Sequence, residues 1–171
     1  KTIENQSGLS VEDIGAEQAM NEFKSEYYQS TGAIEIPAYV VDDGEIKAVT
    51  EIAFSAFSEC GFNSHASITS VIIPDTVTKI GVESFIACSD LESVRMSRGV
   101  VTIDSYAFAY CTKLNTIYLP NTISNIIAIS FSSTKVVNYG GSEEEWNNIA
   151  FDGGVTNCFP SDVVVNYNYV G

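Results

Sequence analysis

The chain has 171 residues, a length that suits one domain, and carries 22 acidic against 8 basic side chains for a formal net charge of −14. Such a surface is soluble and repels nucleic acid and anionic lipid headgroups, and no stretch approaches the ~20 apolar residues of a membrane-spanning helix. Nucleic-acid binding and a helical membrane span are therefore excluded. The chain begins at Lys1 with no visible signal segment; a mature fragment with its targeting segment removed is expected, which keeps an exported origin open.

Residues 1–32 carry "SVEDIGAEQAMNEFKSEYY". Ser10 and Asp13 make a capping-box-like start, and Val11, Ile14, Ala19, Phe23 and Tyr27 fall near helical spacing. A helix from about Val11 to Tyr28 is predicted, either covering the first coil of the chain beyond it or left over from a preceding region. Next comes "AIEIP" (Ala33–Pro37), then "VVDDGEIKAV" (Val40–Val49), a hairpin-like turn with Asp43-Gly44 at its tip.

From there the chain repeats itself. Val77, Ile80, Phe85 and Cys88, advanced by 23, become Val100, Ile103, Phe108 and Cys111; advanced again they become Ile123, Ile126, Phe131 and Thr134. A backward step of 28 reaches Val49, Ile52, Phe57 and Cys60, and the extra residues fit inside the polar "GFNSHAS" (Gly61–Ser67). A second block moves in phase: "ITSVIIP" (Ile68–Pro74), "LESVRMS" (Leu91–Ser97) and "LNTIYLP" (Leu114–Pro120). A fixed period in this range marks a stacked repeat architecture. One such unit cannot close a core alone; stacking lays Val71 on Val94 on Ile117, and Phe85 on Phe108 on Phe131. Adjacent coils are expected about 4.8 Å apart, with roughly 1.5–3 kcal/mol from burying each Phe.

The C-terminal part departs from the period. Phe108 to Ile117 is nine residues, whereas Phe131 to Val137, the apparent counterpart, is six, a deletion that removes the Cys. Ser142 and Glu145 fit a capping box, with acidic residues 143–145 suited to a helix start. A helix from about Glu143 to Ala150 is predicted, with Trp146 and Ile149 facing the last coil. "DVVVNYNYV" (Asp162–Val170) alternates as a closing strand would.

With these residues laid out, the chain resembles the BspA-like (Treponema-type) leucine-rich repeats, whose unit reads roughly L-x-x-V-x-I-P-x-x-V-x-x-I-G-x-x-A-F-x-x-C. "ITSVIIPDTVTKIGVESFIAC" (Ile68–Cys88) matches nearly throughout, and "LESVRMSRGVVTIDSYAFAYC" (Leu91–Cys111) matches with Ser97 for Pro and Asp104 for Gly. "LNTIYLPNTISNIIAISF" (Leu114–Phe131) matches more loosely, and "VVNYGGSEEEWNNIAF" (Val136–Phe151) is similar to the segment that commonly ends such arrays. The resemblance covers about Ala33 to Tyr169, and nothing is carried onto residues 1–32. It implies an α/β solenoid: a right-handed leucine-rich-repeat coil with a parallel β-sheet on one face. A short N-terminal helix and a C-terminal helix/strand cap complete the expected fold. The expected division is 1–32 as a helical segment, 33–135 as repeats (33–67 irregular, then 68–90, 91–113 and 114–135), and 136–171 as the cap. The family implies extracellular or cell-surface proteins of host-associated bacteria and some protists, and adhesion or protein binding rather than catalysis.

The residues themselves show no active site. His65 stands alone in the polar insertion, and no G-x-S-x-G, H-E-x-x-H or phosphate-cradling glycine loop is present. Asp42, Asp43 and Glu45, or Glu143 to Glu145, lack the alternating ligand spacing of an EF-hand and read as a solvated turn and a helix start. No catalytic residue, metal or cofactor is expected. "NQS" (Asn5–Ser7) formally fits a glycosylation acceptor. Cys60, Cys88 and Cys111 share one repeat position, where inward thiols act as apolar fillers. A reduced ladder is expected, with bridging between rungs the alternative because a disulfide needs a particular dihedral. Cys158 lies outside the repeat, and the even count leaves the compartment open.

A binding surface is better supported. Residues between the buried positions of each strand point the other way, giving Ser70 and Ile72, Ser93 and Arg95, Thr116 and Tyr118. Tyr and Arg are favoured at interfaces, and an apolar Ile beside them adds to that reading. The plain alternative is that strands take β-branched and aromatic residues on both faces. The expected role is a non-catalytic, monomeric module binding a host or bacterial surface protein or glycan through this face. The alternatives are a structural spacer or terminal piece of a larger surface protein, and an assembly role in which the acidic face binds calcium.

Overall fold

The computed structural model describes residues 32–42, 45–58 and 67–170. The predicted helix at 11–28, the "NQS" motif, the Asp43-Gly44 tip, Cys60 and His65 lie outside the described residues. In chain order the strands are β1 (Ala33–Glu35), β2 (Tyr39–Asp42), β3 (Glu45–Ala48), β4 (Glu51–Ile52), β5 (Ser70–Ile73), β6 (Lys79–Ile80) and β7 (Ser93–Met96). They continue with β8 (Thr102–Ile103), β9 (Thr116–Leu119), β10 (Asn125–Ile126) and β11 (Val136–Tyr139). Helix α1 (Glu143–Asn147), β12 (Ala150–Phe151), helix α2 (Val155–Cys158) and β13 (Val164–Asn166) complete the order.

Two parallel sheets run the length of the stack. The larger has the order β1-β5-β7-β9-β11-β13, and the other, of two-residue strands, the order β4-β6-β8-β10-β12. Every pairing in both is parallel. Five coils each contribute one strand to each sheet, the solenoid the repeat predicts, and β13 adds a sixth strand to the larger sheet. Strands β2 and β3 form an antiparallel hairpin, with Val40 opposite Lys47, as the Asp-Gly signal implies.

Register places like on like. Ile34, Val71 and Val94 align across β1, β5 and β7, and Ile117 aligns with Val137 across β9 and β11. On the second sheet Ile52, Ile80, Ile103, Ile126 and Phe151 align. The rings of Phe57, Phe85, Phe108 and Phe131 stack with centroids 4.8, 5.1 and 5.3 Å apart and planes within 10° of parallel. All four rings are buried.

The column has a fifth ring that the fixed step misses. Phe159 lies 4.8 Å from Phe131 at 7°, and 159 − 131 is 28, the same step that relates Phe57 to Phe85. Residues 136–171, the expected cap, thus stay in step with the coils: β11 extends the larger sheet, β12 the smaller, and Phe159 the ring stack. The deletion after Phe131 also changes which side chains meet. A step of 23 pairs Thr134 with Cys111, but Val136 aligns with Thr116, so Thr134 falls opposite Leu114 and its hydroxyl donates to the Leu114 carbonyl at 3.1 Å.

Two expected elements are shorter than predicted. Helix α1 forms with the full capping box, Ser142 Oγ accepting from Glu145 N–H and Glu145 Oε2 from Ser142 N–H. It stops at Asn147 rather than Ala150, because Ala150 and Phe151 pair with Asn125 and Ile126. The closing strand ends at Asn166 because Asn168 adopts a left-handed φ of 55° that turns the chain away. Trp146 is buried against Tyr139, Phe151, Phe159 and Tyr167, the packing role expected of it.

A recurring turn joins the second sheet to each Phe. Ser55, Glu83, Tyr106 and Ile129 all take φ of 53–58°. L side chains there cost about 1–2 kcal/mol each, but each N–H reaches a carbonyl of the next coil: Val82, Ser105, Ala128 and Asn157, at 2.8–3.2 Å. The four phenylalanine N–H groups likewise donate to Ser84, Ala107, Ser130 and Cys158. The strained backbone is thus what sets each ring over the next.

Truncating Phe108 to Ala leaves a hole between two stacked rings and is expected to lower unfolding free energy by about 3–5 kcal/mol in urea titration; a loss within ~0.5 kcal/mol contradicts the stack. Ser84 is fully buried and its hydroxyl has no hydrogen-bond partner among the described residues, whereas the Ser130 hydroxyl two coils on lies within donating reach of the Asp104 and Ile127 carbonyls. Ser84→Ala, matching Ala107, is expected to raise stability by roughly 1 kcal/mol in the same assay.

Candidate functional site

The residues between the buried positions of the larger sheet form two columns on its open face. Ala33 aligns with Ser70, Ser70 with Ser93, and Thr116 with Val136 and then Val164. Beside them Glu35, Ile72, Arg95, Tyr118, Asn138 and Asn166 form one continuous row. All six predicted residues, Ser70, Ile72, Ser93, Arg95, Thr116 and Tyr118, are brought onto this surface. Ile72, Ser93 and Arg95 are exposed, while Ser70, Thr116 and Tyr118 are half-buried.

Tyr118 is half-buried because of a residue that alternation alone assigns to the closing strand. After the turn at Asn168, whose N–H donates to the Gly141 carbonyl at 2.8 Å, Tyr169 N–H donates to the Tyr139 carbonyl at 3.0 Å. The Tyr169 ring then lies 5.1 Å from that of Tyr118 at 49°. The ionisable Tyr118 phenol beside it holds the Tyr169 hydroxyl above the usual phenol range, with partial desolvation adding and Arg95 opposing. At the bottom of the row Asn166 Nδ2 donates to Asn138 Oδ1 at 2.8 Å, an amide pair running with the stack.

Charges elsewhere pair between coils. Lys79 reaches Glu51 at 3.1 Å and Asp104 at 3.5 Å, Lys113 reaches Asp90 at 2.6 Å, and Lys135 reaches Asp162 at 3.1 Å. The Glu51 hydrogen bond raises Lys79, and those of Lys113 and then Ser67 lower Asp90 below the usual carboxylate range. With their lysine ends in solvent, these pairs are screened and add little to stability. Among the described residues Arg95 has no such carboxylate.

Cys88 Sγ donates to the Phe57 carbonyl at 3.0 Å and Cys111 Sγ to the Phe85 carbonyl at 3.1 Å, so each sulfur is tied to the coil before it. Cys111 and Cys158 are free, buried thiols. No group of three or more His, Cys, Asp or Glu among the described residues is placed to hold a metal ion, and no helix among them is long and apolar enough to cross a membrane.

A family profile described as the BspA type leucine rich repeat region (6 copies) matches residues 44–154. This chain belongs to the BspA-type leucine-rich-repeat family. Among solved structures it is similar to a leucine-rich repeat protein from Bacteroides capillosus, at 25% identity and a TM-score of 0.55, covering 81% of this chain and 78% of that one. A leucine-rich repeat protein from Bacteroides ovatus gives 25% identity and 0.50, over 78% of this chain and 29% of the other. The pneumococcal vaccine antigen PcpA, at 21% identity and 0.54, shares the fold over 67% of this chain and 33% of its own. The chain thus spans about a third or less of the two longer relatives. No curated protein matches it. The open parallel-sheet face of a BspA-type repeat module is therefore the setting of the candidate site.

Burial, with the charge of Asp152 adding, pushes the Cys158 thiol up to about 11. At pH 8 its thiolate is on the order of one part in a thousand, and the thiolate is the reactive form. Peptide mapping after a disulfide reagent is expected to find Cys158 and Cys111 unmodified in the native protein and modified in denaturant. Rapid native labelling of Cys158 contradicts the buried placement.

Proposed function

We propose that this chain is a non-catalytic binding module of an exported or surface-displayed bacterial protein, contacting a protein or glycan through the open face of its larger sheet. The observation that carries the reading is the row Ile72, Arg95, Tyr118. Three side-chain types suited to interfaces stand in register on adjacent coils, with hydroxyl-bearing Ser70, Ser93 and Thr116 alongside. Solenoids present partners with such extended surfaces, and a few Tyr and Arg residues carry most of the energy where proteins dock. Family membership supports the exported setting and the absence of catalysis. The charge of −14 weighs against nucleic acid. In this reading the coils from β1 to β10 are the repeats, residues 136–171 close the array, and the module acts as a monomer.

The rival is a spacer or terminal piece of a larger surface protein. It is favoured by the two relatives of which this chain spans 33% and 29%. An array of extracellular-matrix proteins and glycans separates the two. A ligand found there is expected to be lost by Arg95→Glu with Tyr118→Ala while thermal stability holds within about 0.5 kcal/mol. Undiminished affinity removes the sheet-face reading, and an array with no ligand favours the spacer.

A further inference from the structure

We propose that Arg95, Tyr118 and Tyr169 form the anchor of this face for a protein partner, and that the anchor seats one Asp or Glu carboxylate flanked by an apolar residue over Ile72. This rests on the binding reading above and deepens it by naming what is bound.

The chain has 22 acidic side chains for 8 basic ones, and Lys79, Lys113 and Lys135 each hold a carboxylate of a neighbouring coil. Arg95, exposed at the middle of the sheet, holds none among the described residues, although acidic groups of this chain are abundant. Its register neighbour on one side is Tyr118, which the tail covers with Tyr169, itself within electrostatic reach of Arg95. The Arg95 guanidinium thereby lies beside a hydrogen-bonded pair of phenols, Tyr118 and Tyr169, which between them keep one O–H free to donate alongside it. A guanidinium fork and a phenol O–H match the two oxygens of a carboxylate, and such charge-assisted bonds are the stronger kind. Tyr169 reaches this place because the left-handed turn at Asn168 and two backbone bonds to Gly141 and Tyr139 hold the tail across β11. The anchor is thus built before a partner arrives.

The neighbour on the other side favours a protein over a sugar polymer. Ile72 aligns with Arg95 and is 42% exposed, and covering it rewards an apolar side chain that a glycan lacks. The long-range field narrows the partner further. A charge of −14 repels an acidic protein as a whole, but at physiological salt that field fades over about 8 Å. The carboxylate is then a local feature on a neutral or basic partner, and the pair fixes register.

The test is selection of random linear peptides displayed on phage, against the intact chain and against Arg95→Glu, at physiological salt. The expected result is enrichment of peptides with one Asp or Glu near an Ile, Leu, Val or Phe and a net charge of zero or above. With Arg95→Glu the preference is expected to switch to Lys or Arg. Tyr169→Phe, which keeps the ring and removes a donor, is expected to weaken the best peptide roughly tenfold. Enriched peptides without acidic residues, lost on Tyr118→Ala, overturn the carboxylate anchor but leave the sheet-face reading standing. A hyaluronan hexasaccharide that shifts the Tyr118 and Tyr169 resonances while no peptide is enriched overturns the protein partner. No binding by either probe removes the anchor and the sheet-face reading together.

Discussion

Every coil in this protein is held at the separation where parallel strands hydrogen-bond, and its side chains must be tolerable neighbours at that distance. The rings from Phe57 to Phe159 show how demanding this is: centroids of 4.8–5.3 Å leave room for flat aromatics lying nearly parallel and for little else. Two-residue strands such as β6 and β8 are too short to persist alone. They stand because the stack beside them fixes the rise, and because the left-handed turns at Glu83, Tyr106 and Ile129 tie each coil forward to the next. The conformational cost of those turns is borne by the same repetition that recovers it.

That constraint explains which features could be read in advance. Phe85, Phe108 and Phe131 recur at 23, so their contact can be had by counting, and the same offsets predict that Ser70, Ile72, Ser93, Arg95, Thr116 and Tyr118 share one face. The fifth coil escaped because its intervals are unequal. Ile117 to Val137 is 20, Ile126 to Phe151 is 25, and Phe131 to Phe159 is 28. A fixed period dissolves there although the geometry persists, since length lost before β11 is returned by α1 and α2. Tyr169 was hidden for another reason. Alternation in "VVVNYNY" suits a continuing strand, and the turn at Asn168 depends on contacts with Gly141 and Tyr139 that no local pattern records.

The open face and the buried side answer to different rules. Inside, like follows like: Val71 aligns with Val94, Ile80 with Ile103 and Ile126, and Phe85 stacks on Phe108 and Phe131. Outside, Glu35, Ile72, Arg95, Tyr118, Asn138 and Asn166 share a row yet little chemistry. Along that row the side chain changes from coil to coil, although Tyr118 still packs on Tyr169 and Asn138 still pairs with Asn166. Surface pairs such as Lys113 with Asp90 add a modest attraction between neighbouring coils.

Because the turn amides of one coil are satisfied by the carbonyls of the next, a middle coil offers identical groups above and below. Duplicating residues 91–113 would introduce no unmet donor, and would displace everything beyond it by one strand spacing, about 4.8 Å. Reach is therefore graduated, as on a ruler. Evolution can lengthen such a protein by copying its interior, one coil at a time.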